Sequence, residues 1–547
     1  MTSAPHENTS HHNVLDVAIV GAGVSGVYSA YRLLTATPEK GSDLARLKAL
    51  RPDGKLRVAV YELSEHVGGR LLSATPPDMP NTTVELGGMR YRSTHKNVKA
   101  LVENKLCLRT RPFPVEEQEN LAYLRGRRVR LRDLPNFGQP GGPDLPFDVS
   151  WAERAGDPRA LVGNALNTLI PGLTSMDPET MWKTLKTVKV DGKHIYDYGL
   201  WNLVAKTMSF EAYTLARAIG GYDCLTMNYN AVDTAIAAFE FVPKETYSAL
   251  TDGFHEVPRR LADMVSQQDG QICFGKQLRR VTGEPGQPVT LTFDDHTAID
   301  AQKVILAMPR RSLELLDREG PIFDPDNTKV RALIEAVDGI ALFKVFTCYR
   351  YPWWEAAGVT KGRSLTDLPI RQSYYWGVEG RQEGADPANT NAVMLASYDD
   401  ELNTTFWAGY RSKGADNMFP NEGDAPDECW SRHRAPHGMV EEAHRQLMEL
   451  HDVKYAPAPY AAAYRNWTED PFGGAVHLWK IHQKSWEVSR DIIQPDKCLE
   501  VYICGEAYSL TQTWVEGALE TAEVVLQDKL RLAAPDWMHE RVQRPRV

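Results

Sequence analysis

The sequence predicts an α/β protein, α+β over the chain as a whole. A discontinuous Rossmann-like domain is joined by a mixed-sheet domain and a helical subdomain. Three observations carry this expectation. The run LDVAIV (residues 15–20) passes through GAGVSG into VYSAYRLL, which reads as strand, glycine turn and helix. Strand-forming runs return in QICFGKQLRRV, VTLTF and KVILAMP, and again near the end in CLEVYICGE, so pieces of one dinucleotide fold are spread along the chain. Between them, from about Trp151 to Phe241, the residues read mostly as helices with apolar faces, as in GLWNLVAKTMSFEAYTLARAI.

The elements follow in order. Gly21, Gly23 and Gly26 fit G-x-G-x-x-G between strand and helix: a tight turn, room for a pyrophosphate against backbone N–H groups, and close helix packing. The polar segment TATPEKGSDLARLKALRPDGK (residues 35–55) reads as an insertion before a second strand, LRVAVYE. Glu62 ends that strand, where a carboxylate accepts both ribose hydroxyls; the insertion explains its longer than usual distance from Gly26. The runs IALFKVFTCYR, IRQSYYW and NAVMLASY form a further strand set. Residues 411–438, rich in Gly, Pro and Asp, read as a long loop, followed by a helix in MVEEAHRQLMELH and, after the last strand, a helix beginning near Trp514.

Bulk composition narrows the function. A net charge of -10 offers no basic field for nucleic acid, and the basic runs LRGRRVRLRD and HERVQRPRV read as a solvated strand and tail. No apolar run approaches the ~20 residues of a membrane span, and the leader MTSAPHENTSHHNV lacks the pattern of a signal peptide. His6, His11 and His12 in that leader read as a mobile polar tail, not a metal site. Cys107, Cys224, Cys273, Cys348, Cys429, Cys498 and Cys504 show no CxxC and no paired spacing, which predicts neither disulfides nor zinc and points to a reducing, cytoplasmic setting.

After Glu62 comes YELSEHVGGRLLS, with Gly68, Gly69 and Arg70 in a place where a nicotinamide domain needs no second glycine pair. Here the sequence resembles the flavin amine oxidase superfamily, specifically its L-amino acid oxidase and tryptophan 2-monooxygenase branch, from about Leu15 to Gln527. The resemblance implies a Rossmann-like FAD-binding domain of the GR2 type from residues 14–93, 248–325 and 495–534. It implies a mixed-sheet substrate-binding domain from 94–140 and 326–494, a helical subdomain at 141–247, and flexible termini at 1–13 and 535–547. It places Glu62 on the ribose and Gly69 and Arg70 near the pyrophosphate. In VELGGMRYRSTH it sets Gly88 and Met89 against the flavin ring, with Gly87 and Gly88 giving the ring clearance. The Leu278 backbone would hold the adenine, Lys344 would lie beside flavin N5, and Gly505, Glu506, Trp514 and Val515 would complete the flavin site at a helix start. Members with covalent FAD carry cysteine where this chain has Ala475, so FAD is expected to bind noncovalently.

The resemblance also implies the chemistry: hydride transfer from Cα to flavin, with Arg90 anchoring the amino acid carboxylate bidentately. Arg90, Lys344 and Trp514 are the expected catalytic residues. Tyr398, Trp467, Ala475, Thr513 and Trp514 complete the substrate site, Ser397 being the alternative to Tyr398. Arg92 reads as a salt-bridging bystander, and His477 and His482 as structural. Thr513 stands where the family often has glycine, and small Ala475 leaves space, which predicts a roomy pocket for aromatic or varied side chains. An acidic residue of the helical region, Glu211 or Asp223, would instead select lysine or arginine. The reading is an FAD-dependent L-amino acid oxidase that consumes dioxygen and yields 2-oxo acid, ammonia and hydrogen peroxide, with a homodimer within the family's range. The alternatives are an amino acid 2-monooxygenase, an amine or polyamine oxidase, and a flavin-bound scaffold without activity.

Overall fold

A computed structural model describes residues 14–154, 156–240, 246–320, 322–324, 326–411 and 417–538. His6, His11, His12 and the tail from residue 539 lie outside the described residues. Strand Leu15–Val20 is buried along nearly its whole length because it lies between two parallel neighbours, Val58–Tyr61 and Ala298–Leu306. That sheet runs in the order Gln271–Cys273, Val58–Tyr61, Leu15–Val20, Ala298–Leu306, Val289–Phe293, Leu278–Thr282. The long strand Ala298–Leu306 divides its pairing. Its first residues join Val289–Phe293 antiparallel, and its last three pair in parallel with Val501–Ile503. Three distant stretches of chain therefore build one nucleotide-type sheet, with helices Val24–Thr35, Glu256–Gln267 and Val515–Glu523 over one face in a shared core that includes Val27, Leu261 and Leu519.

A second sheet has seven strands in the order Ala461–Asn466, Leu342–Tyr349, Ala392–Asp400, Gln372–Val378, Arg363–Thr366, Leu121–Leu124, Arg127–Arg130. All eight residues of Leu342–Tyr349 are buried, and alternation sorts them. Phe343 and Val345 pack with Met439 and Leu447 of helix His437–His451, whereas Phe346 and Cys348 pack with Leu86, Met89 and Trp376. Lys344 shares that second face, which brings it under residues 85–90. A small sheet joins the parts: Tyr247–Leu250 pairs with both Tyr91–Arg92 and Thr110–Pro112.

The middle region forms helices Leu161–Leu169, Pro178–Thr187, Leu200–Val204, Phe210–Gly220 and Ala231–Glu240 around a separate core of Leu166, Leu185, Leu203, Leu215 and Val232. Three local features depart from the sequence reading. The 35–55 insertion contains helix Asp43–Ala49, started by the Ser42 side chain accepting from the Ala45 N–H. The loop at 411–438 contains helix Glu428–Arg432, capped in the same way by Asp427. In the helical region, Ser209 caps Phe210–Gly220 and so separates it from Leu200–Val204. Among the described residues no helix is long and apolar enough to cross a membrane, and the seven cysteines are free.

Candidate active site

One cavity of about 480 Å³ runs from the glycine turn to the second sheet. At its nucleotide end each glycine has a distinct job. Gly21 sits at φ +100°, and a Cβ there would lie 2.5 Å from the Ala307 carbonyl. A Cβ on Gly26 would lie 1.9 Å from the Gly21 carbonyl, so the helix seats directly on the turn and Gly26 stays out of the cavity wall. Gly23 lines the cavity, with nothing within 4 Å of where its Cβ would be. This is the cradle a pyrophosphate needs at a helix N-terminus, and no acidic residue occupies that first turn to repel it. Glu62 also lines it, its carboxylate fixed by the Ala22 N–H (2.6 Å) and by the Ser64 N–H and hydroxyl (both 2.8 Å). Gly68, Gly69, Arg70, Leu278, Gly505 and Val515 line the same cavity. Replacing Gly26 with alanine is expected to leave under about a tenth of the wild-type cofactor per purified chain, because the helix must lift off the turn that cradles the phosphates. Full occupancy, measured by absorbance of the released cofactor, would contradict this role.

Glu506 holds the middle of the site together. One oxygen accepts from the backbone N–H groups of His477 (2.9 Å) and Thr513 (2.8 Å); the other accepts from Arg70 Nη1 (2.9 Å) and lies 2.9 Å from His477 Nδ1. Burial works to raise its pKa, but attraction to His477 and Arg70 together with these hydrogen bonds outweighs it and holds the carboxyl at about 2. A carboxylate depressed in the folded state stabilises above the unfolded value and loses that contribution as pH falls through the folded one. From 4.5 to about 2 this amounts to about 3 kcal/mol. Glu506→Gln should therefore lower Tm by a constant margin near neutral pH, and the margin should shrink below about pH 4.5. A gap that does not vary with pH would sink the ion-pair account.

Arg90 follows the short strand Val84–Glu85 and is only 6% exposed. Nη1 donates to the Tyr374 hydroxyl (2.9 Å) and Nη2 to the Tyr222 hydroxyl (3.2 Å). The guanidinium lies 4.9, 5.3 and 5.6 Å from the rings of Tyr247, Phe113 and Tyr374. Nε is buried without a partner, and every charge acting strongly on the group comes from a tyrosine, not a carboxylate. Its field reaches the phenols: burial raises the pKa of Tyr374, yet Arg90 and Arg363 together draw it below the ordinary value. A buried cation facing only phenols and ring faces carries a desolvation cost that an anionic ligand would offset. Arg92, by contrast, donates to His95 (2.9 Å) and lies over the Trp514 ring at 5.4 Å.

Gly87 lines the cavity, and a Cβ there would lie 2.0 Å from the Arg70 carbonyl, so this glycine also gives clearance to neighbouring backbone. Gly88 and Met89 line the cavity. Lys344 donates to the carbonyls of Glu85 (3.0 Å) and Gly87, pinning this segment to the second sheet. Burial pushes its amine down; Glu85 pulls it back up and Arg90 presses it further down. Glu85 is itself buried, accepting from Ser73 Oγ (2.6 Å) and the Phe254 N–H (2.8 Å), and burial pushes its carboxyl up.

Strand register decides between Ser397 and Tyr398. Lys344 stands opposite Tyr398 on one side and Arg465 on the other, and cross-strand partners share a face. All three line the cavity. Ser397 points away and donates to the Ile370 carbonyl (3.2 Å). Trp467 is buried with Nε1 donating to the Leu86 carbonyl (2.9 Å), and Trp514 meets His95 edge-on at 4.7 Å; both line the cavity. Ala475 lines it too, its carbonyl accepting from Arg70 (2.7 Å). Thr513, also in the wall, has φ +73°, a left-handed conformation that suits glycine and strains a β-branched residue.

The two acidic candidates of the helical region stay out of the cavity. Glu211 pairs with Arg125 at 3.0 Å, and Asp223 with Arg371 at 3.2 Å. Asp223 lies with Asp399 and Asp400 in a cluster in which Asp400 accepts from the backbone N–H groups of Asp223 and Cys224. His482 is exposed beside Asp197, whereas His477 is locked to Glu506. Sequence reasoning passed over Glu85, Tyr222, Tyr374, Arg465 and Asp233. Each reaches the site through tertiary packing; Glu85 stands inside VELGGMRYRSTH, but no local pattern marks any of the five.

Comparison with known proteins adds three findings. A family model described as flavin containing amine oxidoreductase matches residues 24–525. Aplysianin-A of Aplysia kurodai is 26% identical over 94% of this chain and 90% of its own length, and an L-amino-acid oxidase of Siganus canaliculatus is 23% identical over 95% and 85%. Wild-type putrescine oxidase bound to putrescine matches in structure with a TM-score of 0.64 at 15% identity, over 94% of this chain and 99% of that one, a likeness of fold.

Proposed function

The chain belongs to the flavin containing amine oxidoreductase family, and from that premise we propose that it is an FAD-dependent L-amino acid oxidase acting on substrates with bulky side chains. The observation that carries the proposal is Arg90: buried, hydrogen-bonded only to phenols, with Nε unpartnered. A simple amine gives such a cation nothing to bind, whereas an amino acid carboxylate satisfies it. The glycine cradle, Glu62 and Arg70 suit an extended dinucleotide. Ala475, lacking a thiol, leaves that cofactor held without a covalent bond.

FAD, when bound, supplies the hydride acceptor and passes the electrons on to dioxygen. The chain does the rest. Arg90 orients the carboxylate, with Tyr374 and Tyr222 fixing the guanidinium. Trp467 and Trp514 wall the amino group and exclude water. The Thr513 carbonyl is available to the amine. Lys344, with two hydrogen bonds spent on carbonyls, keeps one position on nitrogen for a water. Loss of hydride from Cα and a proton from nitrogen leaves an imino acid, which water hydrolyses to 2-oxo acid and ammonium while dioxygen becomes hydrogen peroxide.

Product analysis across the L-amino acids tests this. The expected result is peroxide, ammonium and 2-oxo acid in equal amounts. An amide with carbon dioxide would make the protein a 2-monooxygenase. Peroxide from amines alone would make it an amine or polyamine oxidase, and silence with FAD bound would leave a scaffold.

A further inference from the structure

One acid in the cavity wall has a buried, unbonded carboxylate oxygen and no cationic partner. Helix Ala231–Glu240 presents Asp233, Ile236 and Ala237 to the cavity, the i, i+3, i+4 spacing of a single helical face. Around them the wall is formed by Tyr222, Cys224, Leu225 and Leu478, which belong to one largely apolar cluster. Asp233 Oδ2 is buried and receives no hydrogen bond, and no cation acts on the carboxyl; its polar influences are the Ser485 hydroxyl and its own backbone. Asp400, the other carboxylate in this wall, is by contrast fully engaged by the backbone N–H groups of Asp223 and Cys224. Burial pushes the Asp233 carboxyl up to about 7, as expected of an acid awaiting a counterion.

We propose that Asp233 selects L-amino acids with a cationic side chain: with Arg90 it makes the cavity a two-ended clamp, one end for the α-carboxylate and the other for a side-chain ammonium or guanidinium. This rests on the L-amino acid oxidase reading and sharpens its substrate class from bulky to long and cationic. The geometry is dipolar. A buried cation without a carboxylate and a buried carboxylate oxygen without a cation line the same cavity, and a diamino acid satisfies both. A phenylalanine or leucine side chain would leave the Asp233 oxygen unpaired in an apolar wall.

The test compares L-lysine with L-norleucine, which lacks only the terminal ammonium, in wild type and Asp233→Asn. Wild type should favour lysine in kcat/KM by at least about thirtyfold, and Asp233→Asn should lose most of the lysine rate while changing norleucine less than about threefold. A second readout needs no turnover. As inhibitors, 6-aminohexanoate should bind wild type at least about tenfold tighter than hexanoate, and the ratio should collapse in Asp233→Asn. Norleucine preferred by wild type, or both substrates falling together in the variant, would overturn the Asp233 assignment alone. No oxidation of any L-amino acid by wild type would instead overturn the oxidase reading, and this inference with it.

Discussion

Replacing Arg90 with methionine should lower kcat/KM for an L-amino acid by about a hundredfold to a thousandfold while leaving the protein at least as stable as wild type. The two halves of this result come from one observation. The guanidinium is buried among Tyr374, Tyr222, Tyr247 and Phe113, with Nε unpartnered and no carboxylate acting on it. Losing the partner of a buried, hydrogen-bonded charge costs the substrate complex about 2–5 kcal/mol. In the empty protein the same cation is uncompensated, and methionine fills similar volume without the desolvation cost. Tm should therefore hold or rise. For an amine without a carboxylate, kcat/KM should stay within about threefold of wild type or increase. An equal fall for amino acid and amine would mean that Arg90 supports the site structurally and anchors nothing.

Replacing Lys344 with methionine should separate the two halves of the catalytic cycle. Its amine is buried, donates to the Glu85 and Gly87 carbonyls and faces the cavity beside Tyr398. Burial and Arg90 favour the neutral amine, and Glu85 opposes them, so the group is poised to hold a water and trade a proton near neutrality. Anaerobic bleaching of the flavin by substrate should change by less than about threefold, whereas recovery with dioxygen should slow about a hundredfold, the scale of a lost general acid or base. If bleaching falls as much as recovery, Lys344 serves chiefly to fix residues 85–90.

How much of this was legible in the sequence depends on where the constraint lies. Gly21, Gly23, Gly26 and Glu62 are legible because a strand–turn–helix needs them at fixed spacing, and the backbone contacts at Gly21 and Gly26 supply the physical reason. Lys344 is legible from its apolar neighbours on a strand. The backbone packing at Gly87 was not legible, since its neighbour, the Arg70 carbonyl, belongs to another segment. Tyr398 against Ser397 required the register with Lys344, which exists only once the strands pair. The partners of Arg90 come from residue 222 in the helical region and residue 374 in the second sheet, and no local pattern ties them to Arg90. The same holds for Asp233: a buried acid is informative only once its surroundings are seen to lack a cation.

Two pairs of substrates that differ only in the carboxylate probe Arg90 most directly: L-lysine against cadaverine, and L-phenylalanine against phenethylamine, each assayed for peroxide with wild type. If Arg90 anchors a carboxylate, the amino acid of each oxidised pair should exceed its amine in kcat/KM by at least about a hundredfold. Equal rates, or a preference for the amines, would mean that Arg90 anchors no carboxylate.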